Sequence, residues 1–151
     1  MSTLDELLNE AESQIPNFET IKPSVSRVPV AWQLHHLLSV IIRVSEMLAK
    51  SDPKEYKANF NLSRTVIFLM GKIPRGAGKS PKAVNKLEPI SKKEIEELIV
   101  EARTLTLKHH QLDSRANFPH PIFGLLTKKQ SLYFLEIHTK HHLKIIQDIL
   151  K

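Results

Sequence analysis

A stretch near the C-terminus, 132–150, carries two histidines four residues apart on its apolar side, and this limits the chain's folds more than any other feature. A residue advances about 100° around a helix axis. With Leu132 at zero, Leu135, Ile145, Ile146 and Ile149 fall between about 220° and 320°. His138 falls at about 240° and His142 at about 280°, inside that sector, while His141 falls at about 180°, on its edge. A core-facing side chain that is polar and unpartnered costs a few kcal/mol. Two imidazoles stacked one turn apart therefore point to a shared partner, and a metal ion suits both. The alternative is a pair of structural histidines bonded to carbonyls or carboxylates. The residues between the pair, Thr139, Lys140 and His141, lack the glutamate of the zinc-protease signature.

A site with two nitrogens wants a third protein ligand. With no cysteine in the chain, the donors are histidine or carboxylate. The segment Trp32-Gln-Leu-His35-His36-Leu offers candidates. With Leu34 at zero, the apolar residues Leu37, Val40, Ile41, Val44, Met47 and Leu48 centre near about 300°. His36, at about 200°, lies nearer the core side than His35, at about 100°. His36 is therefore the expected third ligand, and His35 shares the wetter face with Ser39 and Glu46. His109 lies in line with Leu98, Ala102 and Leu105, as a hydrogen-bonded core residue or a group near the site. His120, before Pro121 in a loop, is placed where a side chain can be aimed at the mouth of a helical core. His35, His109, His120 and His141 are thus lesser candidates.

The periodicity predicts helices over about 3–13, 31–50, 53–70, 91–112 and 127–150. Ser91 with Glu94 reads as a capping box, and Thr127 as the cap of the last helix. No alternating strand pattern and no repeat is found, so the expectation is a single all-α domain. Its form is a four-helix bundle over about 31–151, behind an N-terminal arm of about 1–30 that carries a short extra helix. No apolar run is long enough to span a membrane, and the acidic, amphipathic start does not read as a signal peptide. A cytoplasmic location is expected.

The net charge of +6 raises the question of nucleic acid. Much of the excess lies between Lys72 and Lys93, where seven basic residues face one acid, Glu88, and no aromatic is present to stack on bases. A solvated lysine-rich loop is expected there, not a nucleic-acid site. Gly78-Lys79-Ser80 within it mimics a phosphate loop, but Ile73 stands where the pattern needs glycine, so no phosphate loop is expected.

Three segments together, Trp32-Gln-Leu-His-His36-Leu, His120-Pro-Ile-Phe-Gly124-Leu-Leu-Thr127 and His138-x-x-His141-His142-Leu, resemble the DinB/YfiT-like superfamily, closest to one of its uncharacterised branches. The resemblance implies a four-helix bundle that binds a divalent metal, zinc, nickel or similar, through His36, His138 and His142. It also implies a homodimer, and a low-molecular-weight thiol as co-substrate in some relatives. The functional expectation is a metal-dependent enzyme that carries out thiol transfer or hydrolysis on a small-molecule substrate. The competing expectation is a non-catalytic helical scaffold or binding protein, with or without a structural metal.

Overall fold

The computed structural model describes residues 3–76, 86 and 88–151. The chain opens with α1 (Leu4–Ser13), where Thr3 accepts from the Glu6 amide and donates its own amide to the Glu6 carboxylate. That reciprocal cap satisfies two of the N–H groups a helix start leaves open. Helix α2 (Val30–Lys50) seals Leu34, Leu37, Leu38, Ile41 and Leu48 from water. Helix α3 (Leu62–Met70) is short and ends on Gly71 in the left-handed conformation. Helix α4 (Lys92–Thr106) starts at Ser91, whose hydroxyl accepts from the Glu94 amide. Strands β1 (Asn117–His120) and β2 (Gly124–Thr127) form an antiparallel hairpin with Phe118 opposite Leu126. Helix α5 (Lys128–Leu150) follows at once, capped by Thr127 and Gln130.

The core lies where α2 packs against α4 and α5 and α1 closes against both of those helices. Its largest sealed residues include Leu8, Ile95, Ile99, Leu126, Leu135 and Ile146. Burial of such side chains contributes roughly 1.5–3 kcal/mol each. Arg103 of α4 pins α1 from outside, donating to Asp5 at 3.2 Å, Asn9 at 2.7 Å and Glu12 at 2.6 Å.

The expected all-α four-helix bundle is not the fold. Among the described residues there are five α-helices and a two-stranded antiparallel sheet. The helix expected over 53–70 is a single 3-10 turn at Pro53–Glu55, then extended chain, then α3. Asparagine side chains stand at the break, tying this segment to the hairpin and starting a new helix at α3. Asn59 donates to the Leu125 carbonyl, and Asn61 donates to that of Ile122 while its oxygen caps α3. The loop expected over 113–126 contains the hairpin, with Pro119 in a two-stranded ribbon that leaves it an open edge. Helix α4 also stops at Thr106, and His109–Gln111 forms a separate 3-10 turn. The N-terminal helix is no appendage, since Leu7, Leu8 and Ala11 are core residues.

The hairpin depends on Gly124, at φ +71°, a backbone angle that strains residues with a side chain. A methyl group there would stand 2.9 Å from Asn59 Oδ1. Gly124→Ala is expected to destabilise the protein by about 1–3 kcal/mol in urea unfolding; a midpoint equal to wild type would contradict this role. Among the described residues no helix is long and apolar enough to cross a membrane. Gly78, Lys79, Ser80 and Lys82 of the basic stretch lie outside the described residues. Within it, Lys86 pairs with Glu94 at 2.7 Å and Arg75 with Asp148 at 2.5 Å.

Candidate metal centre

Helices α2 and α5 cross so that His36 meets His138 and His142. One nitrogen from each ring falls in a group whose members all lie within 4.8 Å of one another. His36 Nε2 and His138 Nε2 are 3.3 Å apart. Two nitrogens bound to one zinc ion at about 2.0–2.1 Å, at the tetrahedral angle, stand about 3.3 Å apart. The ring centroids of His142 lie 4.6 Å from those of both other histidines. A proton shared between His36 and His138 would explain one short contact, but not why a third imidazole converges on it.

Two of the rings are held from α2, one turn before His36. His36 stacks on Trp32, with centroids 4.9 Å apart and planes 3° from parallel. His142 Nδ1–H donates to Gln33 Oε1 at 2.6 Å, which leaves the Nε2 lone pair free to coordinate. Gln33 is itself buried and fixed by donating to Ser26 Oγ at 3.3 Å. His138 is half-buried toward the cavity, while its Nδ1 is sealed and has no partner among the described residues. Desolvation, reinforced by neighbouring histidines, pushes the His138 and His142 pKa values far down. Both rings are therefore neutral at pH 7, the state in which imidazole is a ligand. Three imidazole nitrogens with no carboxylate in the cluster fit a borderline divalent ion such as zinc or nickel.

The cluster lies in the wall of a cavity of about 720 Å³. His120 and His141 line the same cavity and His35 and His109 do not. His120 sits at the end of β1, its ring stacked on Phe123 at 4.3 Å. Its Nδ1 accepts from the amides of Ile122 and Phe123, both at 3.0 Å. Burial lowers its pKa to about 4. His141 also reads below its usual value, from desolvation, and bonds the Ile73 backbone. His35 turns to the other side of α2, 3.4 Å from Glu94. His109 lies in the core, donating to Ser45 Oγ at 2.8 Å, whose own proton goes to the Ile41 carbonyl.

Sequence reasoning did not single out Gln33 or the stacking of Trp32. The available signal was spacing: residues three and four before His36 share its face. Gln33→Leu is expected to weaken metal affinity about 10–100-fold, because His142 would lose the acceptor that fixes its ring. Competition titration with a chromogenic chelator measures it, and an unchanged affinity would remove Gln33 from the site. Comparison of the chain with family models, with curated proteins and with solved structures finds no match.

Proposed function

We propose that this protein is a divalent-metal-dependent enzyme. In this reading His36, His138 and His142 hold zinc, nickel or a similar ion, and the reaction is thiol transfer or hydrolysis on a small molecule. One observation carries it: three imidazoles from two helices converge on one point in the wall of a cavity large enough for a substrate. Three protein ligands leave a coordination position open, as catalytic sites do and closed structural sites do not. When bound, such an ion supplies acidity, lowering the pKa of a water or a thiol in the open position toward neutrality. The chain's own residues orient and shield. Gln33 sets the His142 tautomer, Trp32 fixes the plane of His36, and apolar cavity walls such as Val40, Val44 and Phe134 limit water.

The thiol as co-substrate and the homodimer rest on the resemblance to DinB/YfiT-like proteins, and light scattering on the purified chain tests the dimer. The site is tested with cobalt. A cobalt-substituted sample is expected to hold about one ion per chain and to change its visible spectrum when azide or a small thiol is added. A stoichiometric cobalt spectrum that neither ligand alters would mean a closed, structural ion, and no stoichiometric binding would end the reading.

A further inference from the structure

His120 is more than a wall residue. Its Nδ1 accepts two backbone amides, so its proton is fixed on Nε2. No described residue accepts from Nε2, and the ring lines the cavity. Three aromatic contacts hold the ring, from Phe118, Phe123 and Phe134. Phe134 also touches His138, with centroids 5.4 Å apart, which places His120 beside the histidine cluster. The result is a rigid, neutral N–H donor with an open partner position next to the candidate metal centre.

The rest of the cavity favours a negative ligand. No aspartate or glutamate is among its described lining residues. Among the described lining residues Arg43, exposed at the cavity, carries the one fixed charge, and it makes no ion pair among the described residues. It lies seven residues beyond His36 on α2, two turns and about 10.5 Å along the helix axis. The wall around them is apolar, with Val40 between the two and Val44, Met47, Ile67 and Phe123 lining the same cavity. A charged ligand entering such a space keeps its charge only where a donor or an opposite charge compensates it.

From this geometry we infer that the cavity takes a small carboxylate with an apolar body, and that His120 Nε2–H donates to its carboxylate oxygen. This deepens the proposed function by naming a substrate class for the same cavity, while the donor itself belongs to the chain and not to the ion. His120 would act as the orienting donor and Arg43 as the source of anion preference. Both effects exist without a metal.

The test compares hexanoate, hexanamide and hexylamine by calorimetry, on metal-free and on zinc-loaded protein at pH 7. Hexanoate is expected to bind metal-free protein at least about tenfold tighter than hexylamine, with hexanamide between them. His120→Asn keeps a side-chain oxygen that can accept the two turn amides but removes the Nε2–H. It is expected to weaken hexanoate about tenfold and leave hexylamine unchanged. Arg43→Gln is expected to narrow the hexanoate preference, most at low salt. Nitrogen-15 NMR of the histidine rings reads the tautomer directly, and His120 should carry its proton on Nε2. Equal affinity for hexanoate and hexylamine, wild-type hexanoate binding by His120→Asn, or a proton on His120 Nδ1 would each overturn the inference. Hexanoate selectivity without stoichiometric metal would sustain this inference and reject the metal reading. Metal binding with no hexanoate selectivity would do the reverse.

Discussion

Single alanine substitutions at His36, His138 and His142 are each expected to reduce metal affinity by more than about 100-fold. Loss of a residue that only orients a ligand costs about 10–100-fold, and loss of the ligand itself removes a coordinate bond as well. His35→Ala and His141→Ala are the controls, since the cluster does not include them. Elemental analysis of protein purified without a nickel column should give about one ion per chain for wild type and both controls. It should give little for the three ligand variants. Fluorescence offers a second readout, because the chain has a single tryptophan and Trp32 stacks on His36. Metal should change its emission in wild type and fail to do so in His36→Ala. Equal metal content across all six proteins would sink the site.

Metal-free protein is expected to unfold on mild acidification, between about pH 6 and pH 4.5. His109, His120, His138 and His142 all have lowered pKa values in the folded state, chiefly from burial. In the unfolded chain a histidine titrates near 6.5. Above that value neither state binds the proton, and the full stability is present. Below it the unfolded state takes up protons that the folded state refuses, so stability falls as pH falls. Each histidine that stays neutral in the fold adds a slope of about 1.4 kcal/mol per pH unit. Several together exhaust the roughly 5–15 kcal/mol that holds a domain folded. Circular dichroism at helix wavelengths against pH measures the transition. Bound metal should move it to lower pH, because protons must then displace the ion. A flat trace from pH 7 to pH 4.5 without metal would contradict the burial of these rings.

The histidine trio was legible because helical phase is simple geometry. His138 and His142 differ by one turn, and His36 stands on the core side of its own helix while His35 does not. The caps at Ser91 and Thr127 were legible for the same reason, since both are local patterns, but the full capping box read at Ser91 is not formed because the Glu94 carboxylate turns to Lys86. The break before α3 was not legible from periodicity. Asn59 and Asn61 stand there, bonding to backbone carbonyls more than sixty residues away. The hairpin hid because Pro119 and only four residues per strand leave no alternation to count. Its purpose is visible only in space, where it turns His120 into the cavity and gives its Nδ1 two amides.

His36 and His138 lie 102 residues apart in sequence. Joining two points so distant along a flexible polymer costs about 4–5 kcal/mol of configurational freedom at room temperature. An ion held by both would act as a clasp across that span, and it can close only after α2 and α5 have already met. During synthesis the His36 side of the clasp leaves the ribosome long before the other. Metallation of such a site would therefore be a last step of maturation, and a nascent chain lacking α5 would offer the ion only the His36 side of the clasp.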